Sequence, residues 1–557
     1  MTTGTSSPGP QGGQMRSSAV MAAGTVVSRV TGILRDVAAA AALGFFVVAD
    51  AFSLGNSLPT IVYILVIGGS LNAVFVPQLV RRMQDDADDG KAYADRLLTA
   101  AGLALLALSV LAVVAAPLIV DLYTPSDYPQ PAFDLAVAFA RLCLPQIFFY
   151  GLYTMLSQVL NARGHFGLPM FAPIANNVIA IATFGLFIAI AGTSAAADGA
   201  LTSREVLILG VGTTLGVTAQ AVILIPVLLR HGYAWRPRFD WRDAGLGKAG
   251  TLALWTIGLV LVNQATYVVV TRLATQANVD ATAAGLTAAG LTTYQKAHLV
   301  FMLPHSVITI SIVTAMLPAL SRLAHAGEHR AVGRDVAGTM RLVAALIIPI
   351  TAILFVLGSP ISTLLFGYGA ATTAQASLMG QIVSVFMIGL LPFTLFYVLL
   401  RGFYALEDTR TPFLITLGFS LAWLAMAVPI FRAVGPGGPQ VAGIALAYGL
   451  SYWLACIAAW VLLRRRLGGL DGRRTLAALA RMVACGLVAI LLTALVQDLI
   501  GPMLHSWPQQ VGTLMMVGLA SVVGIGAYLA MARMLRVREV HDMVGMMRRR
   551  LRIRGAR

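Results

Sequence analysis

Three charged residues stand in the middle of an apolar stretch long enough to cross a membrane. Arg29, Arg35 and Asp36 lie in the run Ser28-Arg29-Val30-Thr31-Gly32-Ile33-Leu34-Arg35-Asp36, with Val20–Val27 before it and Val37–Val48 after it. A charged side chain in mid-bilayer costs about 2.5–3.5 kcal/mol on insertion scales. Two arginines and an aspartate therefore face a wet or protein-lined interior rather than lipid. Their sum is positive, which points to a cavity for an anion inside a membrane protein.

The remainder of the chain supports a membrane setting. Of its 557 residues, 58% are hydrophobic and 11% charged, a composition of polytopic membrane proteins rather than soluble ones. The apolar runs are continuous and about 20 residues or longer, so they are helices. A transmembrane barrel would need alternating segments of about 10 residues. The net charge of +16 is spread between apolar runs, not gathered on a soluble face, so it is not a nucleic-acid signature. Cys143, Cys456 and Cys485 all fall within apolar runs and read as packing residues, not as a disulfide or metal framework.

Fourteen apolar segments can be marked, near 18–46, 53–80, 97–120, 133–160, 168–193, 205–229, 249–273, 289–319, 339–365, 375–404, 412–432, 440–463, 476–497 and 511–533. The positive-inside rule tests this count. Thirty-two of the 39 basic residues fall on one alternate set of connections and tails, against Arg204, Arg272 and Arg432 on the other. Arg29, Arg35, Arg141 and Lys296 remain within or at the edge of spans. Both termini are thus expected on the cytoplasmic side.

A short basic turn followed by proline closes the fourth span at Asn161–Pro169 and the tenth at Arg401–Pro412. Six spans separate the two, which suggests two pseudo-symmetric six-helix lobes. The expected organisation is a disordered tail at 1–16, an N-lobe at 17–230, a linker at 231–248, a C-lobe at 249–466, two extra helices at 467–536 and a basic tail at 537–557. The linker carries Trp235, Arg236, Arg238, Trp241 and Arg242, which suits either a helix in the headgroup layer or a plain connection. The basic stretch from Arg533 onward suits anchoring on anionic membrane lipids.

Arg29 and Arg35 are six residues apart, about 120° in helical projection. A break near Gly32 would let both guanidinium groups converge. Such planar forks suit phosphate. Asp36 neutralises or orients one of them; an ion-pair cluster that only holds helices together is the alternative. Asp50 is a turn cap or a gate residue. Lys296 either snorkels to the headgroups or points inward. Asn263-Gln264 and Asn176-Asn177 call for hydrogen bonds between helices. Gly210, Gly212 and Gly216 read as helix packing. His325 and His329 read as solvated loop residues. No catalytic constellation, cofactor site or metal site is apparent, so an enzyme is not expected.

Several ordered motifs resemble those of the MurJ (MviN-type) lipid II flippases of the MOP superfamily. They are Ser28-Arg29-x-x-Gly32-x-x-Arg35-Asp36, Asp50-Ala51-Phe52, Leu58-Pro59, Val76-Pro77, Asn161 with Phe166, Pro169, Ala172-Pro173 and Asn177. Leu317-Pro318, Leu365-Phe366-x-Tyr368-Gly369, Phe403-Tyr404 and Asp408-x-x-Thr411-Pro412 follow. The resemblance implies fourteen helices in a bacterial cell membrane and movement of lipid II, the undecaprenyl-pyrophosphate-linked disaccharide-pentapeptide, between leaflets. It implies a cationic cavity for the pyrophosphate and a groove at the last two spans for the polyprenyl tail. By this resemblance Arg29, Arg35 and Asp36 are essential charges. With Lys296 they form the candidate substrate site, and Ser28, Gly32, Asp50, Asn56, Asn177, Asn263 and Gln264 are gate or supporting positions. Peptidoglycan synthases are candidate partners of what is expected to be a monomeric transporter.

Two departures matter. Many members carry paired arginines in the second span and then an acid; here the positions are Tyr63-Ile64 and Gly68. An arginine common in the eighth span is Leu299 here, with Lys296 the nearest cation available to substitute. Competing readings are a multidrug antiporter, a flippase for another polyprenyl-linked glycan, and an envelope scaffold without transport.

The topology has a direct test. Single cysteines at Ser194 and Thr282 should label from outside the cell, and those at Gln84 and Gly469 only from inside. Reversal at any two of these positions would sink the assignment.

Overall fold

The computed structural model describes residues 10–67, 88, 90–165, 167–197, 199–240, 250–504 and 506–541. Among them there are eighteen α-helices and no strand. In chain order these are α1 (Pro10–Leu43), α2 (Val47–Ile67), α3 (Lys91–Val114), α4 (Ala116–Tyr123), α5 (Gln130–Cys143), α6 (Gln146–Ala162), α7 (Gly167–Ala191), α8 (Ser203–Val222) and α9 (Leu224–Arg230). Then come α10 (Gly250–Ala283), α11 (Leu291–Pro304), α12 (Ile310–His325), α13 (His329–Phe366), α14 (Thr373–Ala405), α15 (Arg410–Ala433), α16 (Gly438–Leu467), α17 (Gly472–Ile500) and α18 (Gln509–Met534).

Thirteen helical segments among the described residues are long and apolar enough to span a membrane. α1, 34 residues long, is a further helix, and with it the total is consistent with fourteen. Proline accounts for most interruptions, because it lacks an N–H and crowds the preceding turn. α5 and α6 meet at Leu144-Pro145, and a π-turn at His305–Thr309 follows Pro304 between α11 and α12. α13 kinks at Leu357 (φ −92°, ψ 16°), three residues before Pro360.

Several boundaries differ from expectation. α1 begins at Pro10, a residue well suited to a first helical turn, so the expected tail at 1–16 is helical from residue 10 onward. The turn to α2 comes at Gly44, whose φ of +60° allows a tight reversal. Asp50 therefore lies in the first turn of α2 rather than in the connection between the first two expected spans. α10 continues to Ala283, placing Arg272 inside a helix instead of a connection. Val76-Pro77, Gly68, Arg81, Arg82, Gln84, Phe166, Trp241, Arg242, Lys248 and the basic tail from residue 542 lie outside the described residues.

The chain divides into two compact units, one containing the residues up to Gln264 with Gly369–Ala371, the other Ala265–Tyr368 with Thr372 onward. The division falls inside α10. In the first unit, Phe52 of α2 meets Phe139 and Phe184 edge-on at centroid distances of 5.2 and 5.8 Å. Gly55 permits this approach: a Cβ there would lie 2.7 Å from Phe139 Cβ and 2.9 Å from the Ala140 nitrogen. Gly210, Gly212 and Gly216 of α8 face Leu142, Thr183 and Asn176, which is the packing role expected of them. Ala370 N–H donates to Ala41 O at 2.8 Å, pinning the end of α1.

The connection after α9 is not a helix over residues 233–240, contrary to the interfacial-helix reading of its described half. It is strapped to α3 instead. Buried Asp95 receives Lys91 Nζ at 2.8 Å and the Tyr233 hydroxyl at 2.7 Å. Arg238 N–H donates to Thr99 Oγ1 at 3.1 Å, and Arg96 pairs with Asp240 at 2.8 Å. Burial and then the Asp95 carboxylate push the Tyr233 phenol upward. These fixed partners draw the chain out along α3 and leave no turn free for a helix.

In the second unit α13, α14 and α16 form the centre. A Cβ on Gly389 of α14 would lie 2.6 Å from Gly449 Cα of α16, so the two helices cross with backbones nearly touching. Beside this crossing, His298, Phe301, Phe386, Trp423, Tyr448 and Tyr452 form a continuous aromatic cluster.

Candidate functional site

The charged centre of α1 is organised by one side chain of α7. Asn177 is 5% exposed. Its Nδ2 donates to Ser28 O at 3.1 Å and to Thr31 Oγ1 at 3.0 Å. Its Oδ1 accepts from Arg35 Nη1 at 3.3 Å. Arg35 Nη2 also reaches Asp36 Oδ2 at 3.4 Å. One amide thus uses both ends to fix the axial position of α1 and the direction of one guanidinium. In an apolar setting such donors and acceptors are costly to leave unpaired.

The expected break at Gly32 is absent. α1 runs unbroken through it, and a Cβ there would meet nothing nearer than Asn177 Nδ2 at 3.7 Å. The helix has no need to bend, because Asn177 grips it one turn before Gly32 and again one turn after. Arg29 and Arg35 consequently keep their separate directions. Arg35 turns to α7. Arg29 is half-buried and has no hydrogen-bond or ion-pair partner among the described residues. Charge and separation leave Arg29 available to a ligand, while Arg35 arrives partly compensated.

The other candidates are dispersed. Asp50 is 1% exposed and its N–H donates to Phe46 O at 3.1 Å. Tyr128, in the connection before α5, lies close enough that the Asp50 charge adds to the upward push of burial on its phenol. Asp50 is therefore a packed helix-start residue at the far end of α1. Asn56 is half-buried on α2. Gln264 Nε2 donates to Ile61 O at 2.9 Å, the interhelical bond expected of it. Asn263 differs: it is exposed and has no partner among the described residues, since the helix turns its neighbour, not itself, toward α2. Lys296 belongs to the second unit, is half-buried and has partners of its own.

A hydroxyl-lined wall near Arg35 was not apparent from charge patterning. Tyr63 OH donates to Thr154 Oγ1 at 2.7 Å, and its ring lies 6.1 Å from that of Tyr150. Tyr150 is within electrostatic reach of Arg35 and close to the Thr60 hydroxyl. Tyr63 occupies the place where the resembling family often has arginine. Neutral hydroxyls there can accept or donate bonds to sugar and phosphate groups without adding charge.

Comparison with solved structures identifies the architecture. A "Lipid II flippase MurJ, inward closed conformation" aligns with a TM-score of 0.72 at 18% identity, over 94% of this chain and all of that one. An inward-facing multidrug resistance MATE family transporter of the MOP superfamily aligns with a TM-score of 0.58 at 15% identity, over 80% of this chain and 96% of that one. The all-helical fold is the one these two structures share.

The sequence narrows the class. The family model for "Lipid II flippase MurJ" matches residues 39–535. A probable lipid II flippase MurJ of Rhizobium tropici is 28% identical over 542 residues, 95% of this chain and 94% of the relative. The lipid II flippase MurJ of Burkholderia cenocepacia is 26% identical over 448 residues, 79% of this chain and 82% of the relative. The chain belongs to the MurJ lipid II flippase family.

Asn177 should prove to be a clamp. Asn177→Ala removes three bonds, one of them charged, and should lower stability by about 1–3 kcal/mol, visible as a fall in Tm of the purified protein. Asn177→Asp keeps the contact with Arg35 but loses both donations to α1. An unchanged Tm in both variants would mean that the amide contributes nothing to holding α1.

Proposed function

We propose that this protein moves lipid II from the inner to the outer leaflet of the bacterial cell membrane by alternating access. The observation that carries the reading is the cationic centre of α1, held by Asn177 inside an apolar segment of a MurJ-family chain. Arg29 and Arg35 grip the pyrophosphate in an inward-open state. Arg29 supplies an uncompensated guanidinium, and Arg35 exchanges part of its contact with Asp36 for the ligand. Tyr63, Tyr150 and Thr154 offer hydroxyl contacts to the headgroup. Lys296 supplies the eighth-span cation in place of the arginine that Leu299 lacks. Both termini face the cytoplasm, as the basic asymmetry argues, and the transporter works as a monomer to which peptidoglycan synthases dock. The long charged helix and a count consistent with fourteen spans favour this cargo over that of an antiporter.

Binding by the purified protein tests the assignment. Lipid II should raise the Tm of the parent. Each charge-assisted bond to phosphate contributes about 1.5–3 kcal/mol, so Arg29→Ala and Arg35→Ala should each weaken binding roughly tenfold or more. Arg35→Lys should recover little, because an ammonium cannot reproduce the bidentate fork. Lys296→Ala should also weaken binding, and adding Leu299→Arg should restore part of it. Undiminished protection in both arginine variants would reduce the charges to structural ion pairs; undiminished protection in Lys296→Ala would leave the lysine a snorkelling residue.

A further inference from the structure

The ends of α17 and α18 carry a charged feature that the transport reading does not use. α17 opens with Arg473 and Arg474 in its first turn. Arg481 follows Arg474 by seven residues, two turns along on the same face. Ala477 and Ala478 lie between them and are too small to fill the space. The chain just beyond α18 supplies the opposite wall, with Arg536 and Arg538. The cleft between the two walls is about 500 Å³.

None of these five arginine side chains has a hydrogen-bond or ion-pair partner among the described residues. The acid in the cleft is Glu539, and it is engaged elsewhere. Its carboxylate pairs with Arg341 of α13 at 2.9 Å. Arg341 is 7% exposed and also donates to Thr475 at 2.9 Å. Among the described residues the cluster is therefore left with its positive charge uncompensated.

The backbone adds a second, independent observation. α18 closes with Val537 N–H donating to Ala532 O at 2.9 Å and Arg536 N–H to Arg533 O at 3.2 Å. This is a Schellman closure. Its left-handed residue is Arg536, at φ +52°, where glycine is the usual occupant. Arg536 thus carries a side chain at a position that favours glycine, and that residue lines the cleft.

We propose that the cleft is a binding site for a phosphate group, supplied by the headgroup of an anionic phospholipid in the adjoining leaflet. Guanidinium forks from two walls can surround the phosphate oxygens, and basic pockets between membrane helices favour such headgroups. Leu476 and Met534, 60% and 74% exposed, place apolar surface next to the arginines in both walls. That surface suits a ligand with acyl chains over a freely diffusing anion. The proposal does not depend on which cargo the protein moves.

The test is native mass spectrometry of the full-length protein titrated with phosphatidylglycerol or phosphatidylcholine, with thermal unfolding in parallel. The double variant Arg481→Gln/Arg536→Gly should retain at least fivefold less phosphatidylglycerol than the parent, with phosphatidylcholine adducts unchanged. Arg536→Gly relieves the left-handed backbone, so alone it should leave Tm equal or higher while still reducing phosphatidylglycerol retention. Arg474→Gln, on the exposed helix face, should reduce it independently. Equal phosphatidylglycerol retention in parent and variants overturns the site. Protection by inorganic phosphate or pyrophosphate matching that of the lipid overturns the lipid assignment and makes the ligand a soluble phosphate.

Discussion

The three hydrogen bonds of Asn177 are what allow a charged helix to stand in an apolar layer. Without them, Arg35 would hold only its own neighbour Asp36 at 3.4 Å, an ion pair of poor geometry for a desolvated setting. With them, the backbone of Ser28, the hydroxyl of Thr31 and the guanidinium of Arg35 are tied to one point on α7. The packing of the first unit follows from that placement. α2 folds back after Gly44 and sets Phe52 against α5 and α7. The Ala370 N–H ties down the C-terminal end of α1 at Ala41.

The second unit is built on a different principle. Its central helices approach through Gly389 and Gly449 and are filled in by aromatic rings around His298 and Tyr448, which meet at 3.3 Å. Charged pairs such as Arg341–Glu539 and Arg466–Asp408 join it near helix ends. The Asp95–Tyr233 strap fastens the connection after α9 to α3.

Much of this was legible in the sequence because a bilayer demands long apolar helices and penalises buried charge. The helical class and the approximate spans follow from those demands, and so does the expectation that Arg29, Arg35 and Asp36 face away from lipid. The packing face of Gly210, Gly212 and Gly216 was legible for the same reason, since glycine in a membrane helix marks close approach. Contacts between distant residues were not. Asn177 could be singled out as needing a partner, but nothing in its spacing says that it meets residues 28, 31 and 35. The proposed break at Gly32 came from requiring both arginines to converge; the structure instead lets them diverge and fixes one. Asp50 was misplaced by a few residues because the turn depends on the φ of Gly44. On sequence alone the linker suits either an interfacial helix or a plain connection, because its arginines and aromatics are visible there while their partners on α3 are not.

The central claim is that the α1 cluster works on a lipid-linked pyrophosphate during transport. Cells depleted of their own lipid II flippase, supplied with this protein and assayed for lipid II at the outer leaflet, test it most directly. The parent should restore outer-leaflet lipid II and growth, and Arg35→Ala, present in the membrane at the same level, should restore neither. Full restoration by Arg35→Ala would contradict the account.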